Sequence, residues 1–258
     1  MAAAGAAAAA AAIDAPRILG AGTLKNPIGV AMDGAGRIVV ADNGNHRVVV
    51  FDAAAGAVVQ TLGRGPGSGA GELNGPAGVA FVGAGRIAVA DWNNHRVVVF
   101  DAATGAVVET LGRGRGSGAG ELHYPTGVAF DGAGRIAVAD YGNHRVVVFD
   151  AATGAVVETL GRGRGSGAGE LHYPTGVAFD GAGRIVVADQ SNHRVVVFDA
   201  ATGAVVQTLG RGPGSGAGEL NGPAGVAFVG AGRIAVADWN NHRVVVFDAA
   251  TGAVVETL

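Results

Sequence analysis

The dipeptide His-Arg recurs at His46-Arg47, His95-Arg96, His144-Arg145, His193-Arg194 and His242-Arg243, each 49 residues after the last. A Pro-x-Gly-Val-Ala stretch keeps the same phase, beginning at Pro27, Pro76, Pro125, Pro174 and Pro223. A period of this length marks an array of one supersecondary unit, whose copies bury their apolar faces on one another. The units span residues 24–62, 73–111, 122–160, 171–209 and 220–258, joined by Gly-rich linkers such as 112–121. Residues 56–111 and 203–258 are identical, which points to recent duplication or deliberate construction and does not separate the two.

Within the second unit, residues 78–81, 86–91, 95–100 and 106–111 are short apolar runs rich in Val and Ala. Gly, Asn and Asp punctuate them, with Gly105 placed where a hairpin loop needs a left-handed residue. Four short strands in sequence predict an antiparallel meander. The runs are apolar continuously rather than alternately, so both faces of each sheet must be covered. Stacking such sheets around an axis satisfies this, and the expected fold is an all-β propeller of four-stranded antiparallel blades. A linear stack is the alternative.

Composition limits function more than it names it. The 258 residues carry a net charge of -3, with no basic or acidic excess to attract nucleic acid or a cationic partner. Cys is absent, which removes disulfides, thiolate metal sites and Cys nucleophiles. Aromatic residues are only 5%, so aliphatic side chains and Ala must fill the core. The longest apolar run, residues 6–13, falls far short of the ~20 residues needed to span a bilayer, so no membrane partner is expected. Residues 1–13 are nearly all Ala and lack the basic start of a secretory signal. They are expected to be a disordered tail or frayed helix preceding a propeller over 14–258. The cytoplasm is the default compartment, without a signal that assigns one.

The pattern Pro-x-Gly-Val-Ala-x-x-x-x-Gly-Arg-Ile-x-Val-Ala-Asp-x-x-Asn-His-Arg-Val-x-Val-Phe-Asp resembles the NHL repeat. The resemblance implies a propeller, commonly of six blades in that family. Five units are counted here, and a five-bladed ring is the preferred reading. A piece of a six-bladed parent is the alternative, because residues 16–20 resemble the end of a fourth strand.

Repetition separates structural residues from candidate site residues. Groups present in every unit answer a need of every blade. The sets Asp42, His46, Arg47; Asp91, His95, Arg96; Asp140, His144, Arg145; Asp189, His193, Arg194; and Asp238, His242, Arg243 are therefore expected to be a structural network. In it, each Arg pairs with the Asp of its set, the Asp caps the turn that follows, and His and Arg point to opposite faces of the third strand.

What varies is more informative. Variation concentrates at the linker ends and at the turn between the second and third strands, which a meander places on one rim. That rim carries Trp92, Tyr124, Tyr141, Tyr173, Gln190, Trp239, His123 and His172. Aromatic groups on exposed turns suit recognition, so the leading expectation is a non-catalytic scaffold that binds a protein or peptide. The bland reading is that these rings merely cover the blade ends.

A carbohydrate binder is an alternative, because Trp and Tyr stack on sugar rings. An RNA binder is another, since some NHL-repeat proteins use a basic face and the linkers carry Gly-Arg-Gly-Arg-Gly. Six Arg against four Glu leave these linkers only about +2, too little for the phosphate contacts of strong binding, so they are expected to be flexible solvated loops. The resemblance also includes metal-dependent peptidyl-hydroxyglycine lyases, which use His ligands near the axis. Here only His123 and His172 lie outside the repeated set, and a zinc site normally needs a third ligand. No catalytic residue, metal or cofactor is expected. Near-identical units also make strand-swapped self-association an expectation.

Overall fold

In the computed structural model of the chain, residues 18–83, 85–230 and 232–258 are described. The Ala-rich stretch 1–13 lies outside the described residues. Twenty strands form five sheets of four, each sheet in simple sequence order and antiparallel throughout. The second blade runs Pro76–Val82, Arg86–Asp91, Arg96–Asp101 and Val107–Leu111. The fold is thus an all-β propeller of five four-stranded blades. Among the described residues, no helix is long and apolar enough to cross a membrane.

The first strand of each blade lies innermost, at Pro27–Met32, Pro76–Val82, Pro125–Phe130, Pro174–Phe179 and Pro223–Phe228. Glycine is required there by close approach. A Cβ on Gly78 would collide with the carbonyl oxygen of Thr126 on the next inner strand, and one on Gly127 with that of Thr175. The continuous apolar runs are explained by the blade faces. Val79, Ile87, Val89, Val98 and Phe100 of the second blade pack on Val39, Ala41, Val48 and Val50 of the first, and Leu73, the first residue of the second unit, seals the junction. The opposite face, with Ala80, Ala88, Ala90 and Val97, packs on the third blade. Large groups on one face meet small ones on the other, so consecutive blades interdigitate.

The first and fifth blades do not repeat this packing with each other. Val79, Val128 and Val177 are 5%, 8% and 7% exposed on the inner strands, whereas the equivalent Val30 is 68% exposed. Ile28 and Met32 beside it are exposed as well. On the fifth blade, Ala237 is exposed where Ala90 is fully buried. Gly225, unlike the inner-strand glycines before it, has no neighbouring inner strand against it. Five blades are present, and their outer faces leave a seam. Leu19 and Leu24 cover part of it by packing on Val40, Val49 and Phe51.

The repeated network is built as ion pairs, with one change from expectation. Arg96 Nε lies 2.9 Å from Asp91 Oδ2, and the other four blades carry the same pair. Asp91 does not cap the turn that follows it. Its Oδ1 accepts the Asn74 amide at the end of the preceding linker, at 2.6 Å, and its Oδ2 accepts from Asn94 Nδ2 and Arg96. The carboxylate is fully buried.

The linkers are ordered rather than flexible. Arg96 donates to the carbonyls of Ser68, Gly69 and Glu72, and Arg145 to those of Ser117, Gly118 and Glu121. One guanidinium thus holds a whole Gly-rich loop whose glycines contribute no side-chain packing.

Candidate functional site

His95 does not belong to the third strand. Trp92–Asn94 forms a single 3-10 turn, and His95 ends it in the left-handed conformation, φ 56°. The third strand begins at Arg96, so the expected alternation of His and Arg across that strand does not occur. The left-handed turn instead aims the imidazole across the blade junction. His46, His95, His144 and His193 each accept, through Nδ1, the backbone N–H of residue 75, 124, 173 or 222 of the next blade, at 3.1 Å in every case.

The linker end takes a second left-handed conformation, which Asn26 of the first blade shares at φ 48° with no histidine before it in the chain. Gly75 and Gly222 adopt it with φ 68° and 63°, as glycine does readily. Tyr124 and Tyr173 adopt it too, with φ 54° and 55°. For a bulky residue that backbone is uncommon and strained. The strain directs both phenol rings onto the rim.

There the rings form a row across three blades. Trp92 lies 5.5 Å from Tyr124 and 5.4 Å from Tyr141, measured between ring centroids. Tyr141 stacks on Tyr173 at 4.6 Å. His123 stacks on Tyr124 and His172 on Tyr173. The structure therefore brings together six of the eight rim residues singled out in the sequence. Gln190 and Trp239 stand apart from this row, on the rim between the fourth and fifth blades, where they line one recess.

The electrostatics follow from this cover. Burial lowers the His95 and His144 pKa values below the ordinary histidine range, and the neighbouring His123 or His172 and Arg115 or Arg164 add to it. Burial, then the adjacent Tyr173, raises Tyr141. The Nε2 atoms of His123 and His172 are buried without a hydrogen-bond partner. These two histidines belong to separate pairs, His95 with His123 and His144 with His172, each 5.4 Å between rings. Among the described residues, no three His, Asp or Glu side chains converge as a metal site would require.

Sequence reasoning missed Gly75, Gly222, Asn93 and Asn240, which shape the rim by what they leave open. A signal was present. Gly75 and Gly222 occupy the repeat position that is Tyr in the third and fourth units.

Fold and rim together define a β-propeller that carries a row of aromatic side chains along one rim. The NHL repeat family model matches residues 24–51, 73–100, 122–149, 171–198 and 220–247, which is more than half of the chain. The chain belongs to the NHL repeat family. Its fold is similar to that of a chain in the crystal structure of a nidogen/laminin complex, with a TM-score of 0.68 and 18% identity over 92% of this chain and 81% of that one. Among curated proteins, none matches this sequence.

Proposed function

We propose that this propeller binds a protein or peptide, without catalysis, on the rim formed by Trp92, Tyr124, Tyr141 and Tyr173. One observation carries the reading. Two tyrosines are held in a left-handed backbone that costs about 1–3 kcal/mol each, where the second and fifth blades use unstrained glycine. Backbone strain at these two positions presents aromatic rings, which suits recognition. The fold neighbour's presence in a complex of two proteins is consistent with a protein partner. The two unlike histidines stack on tyrosines in separate pairs, which favours binding over metal-assisted chemistry.

The test is selection of peptides from a display library against the full chain, followed by calorimetry with the selected sequences. Trp92→Ala and Tyr141→Ala should each weaken binding by roughly 30-fold or more, the hot-spot range. Affinity unchanged in both variants would place the interface elsewhere. Binding only to polyanions, or only to sugars, would replace the peptide reading with the corresponding alternative.

A further inference from the structure

The linker-end position has one backbone in four blades: a positive φ, and an N–H held by the preceding blade's His Nδ1. Two of these positions carry Tyr and two carry Gly. Where it is Tyr, the phenol ring covers the imidazole, Tyr124 on His95 at 4.7 Å and Tyr173 on His144 at 4.6 Å. The turn residue of the same preceding blade touches the ring as well, Trp92 for Tyr124 and Tyr141 for Tyr173.

Where it is Gly, the Asn93 or Asn240 side-chain amide reaches the point that a Cβ would take, at 2.9 and 2.7 Å, and a recess opens beside it. One has a volume of about 370 Å³ and is lined by Asn43, His46, Gly75, Trp92 and Asn93. The other, of about 280 Å³, is lined by Gln190, His193, Gly222, Trp239 and Asn240. Apart from Ile28, which lines only the first recess, these linings coincide position by position in the repeat. Equivalent junctions thus take two forms, covered by the chain's own tyrosine at two and leaving a recess walled by asparagine at two others.

Resting on the peptide reading above, we propose that the recesses at Gly75 and Gly222 each accept the aromatic ring of a partner's tyrosine side chain. The ring sits over His46 or His193 as Tyr124 sits over His95. Each imidazole is held in place by its Nδ1, which accepts the N–H of Gly75 or Gly222. Trp92 or Trp239 supplies a second aromatic wall, and offset or edge contacts with it favour a ring over an aliphatic chain. The side-chain oxygens of Asn43 and Asn93, or of Gln190 and Asn240, offer acceptors to a phenol hydroxyl, while the Nδ2 groups of Asn43, Asn93 and Asn240 already donate to Pro76 O, Asn74 Oδ1 and Asn221 Oδ1. The Trp and Asn sides of the two recesses lie in the identical segments 56–111 and 203–258, so one chain presents two near-equivalent sites.

The probe is N-acetyl-L-tyrosinamide, titrated into the nitrogen-15-labelled full chain and compared with N-acetyl-L-leucinamide. Saturable shifts are expected at the Gly75 and Gly222 amides and the Trp92 and Trp239 indole N–H groups, and not at the Tyr124 and Tyr173 amides. The leucine probe should bind roughly two- to tenfold more weakly, the worth of an aromatic contact. The variant Gly75→Tyr with Asn93→Gly copies the third blade, where Tyr124 accompanies Gly142. It should abolish the response at Trp92 and keep that at Trp239, whose intact recess reports a folded propeller.

Equal binding of both probes, a response at Tyr124 and Tyr173, or a Trp92 response that survives Gly75→Tyr would overturn the assignment. Library peptides that need Trp92 but contain no aromatic residue would overturn it while sparing the rim. Tyrosinamide shifts at both recesses without any peptide ligand would support it and count against the wider reading.

Discussion

The Nδ1 atom of His95 accepts the backbone N–H of Tyr124 at 3.1 Å, across the junction between the second and third blades. An imidazole that accepts there is neutral and carries its proton on Nε2. The same bond recurs at His46, His144 and His193, so four blade junctions share its geometry.

Acid should therefore loosen the propeller. Burial, and then nearby positive groups, hold His95 and His144 below the unfolded value of about 6.5. Their contribution to stability is fully present above that pH and is lost as the pH falls through the unfolded value toward the folded one. The thermal midpoint should be level from pH 8 to 7 and drop toward pH 5. His95→Asn with His144→Asn keeps an acceptor and tolerates a left-handed backbone, so it should flatten the profile. A wild-type midpoint independent of pH would refute this account.

Arg96→Ala should cost about 3–5 kcal/mol, because it leaves the fully buried Asp91 carboxylate without its cation. It also frees the carbonyls of Ser68, Gly69 and Glu72. Urea denaturation reads the first effect. Faster hydrogen exchange of the amides in 67–72 reads the second.

The seam predicts that equivalent positions respond unequally. Val128→Asp places a charge between packed blades and should cost several kcal/mol. Val30→Asp, at the same repeat position but 68% exposed, should stay within about 0.5 kcal/mol of the parent. Comparable losses in both variants would mean that the first and fifth blades meet in solution.

The two tryptophans should differ in emission. Trp239 is 63% exposed, while Trp92 packs on Tyr124 and Tyr141. Trp92→Phe should leave a red-shifted spectrum readily quenched by acrylamide. Trp239→Phe should leave a bluer, better protected one.

Much was legible in the residues because repetition amplifies local signals. Short apolar runs cut by Gly and Asn announce strands wherever they occur, and five copies in phase announce blades. The Asp91–Arg96 pairing was legible for the same reason, since a buried guanidinium requires a carboxylate within its own unit. His95 was misplaced because its position beside Val-rich strand residues conceals a left-handed turn end. The linkers looked flexible because their order comes from Arg96, distant in sequence and adjacent only after folding.

The sequence by itself determined the repeat, the family and the all-β blades, since these follow from periodicity and from the need to cover two apolar faces. Only the tertiary structure decided which rim residues touch, which carboxylate oxygen meets which amide, and that glycine at 75 and 222 opens what tyrosine at 124 and 173 closes. Those outcomes depend on distances between consecutive blades, and a linear chain encodes such distances only through packing.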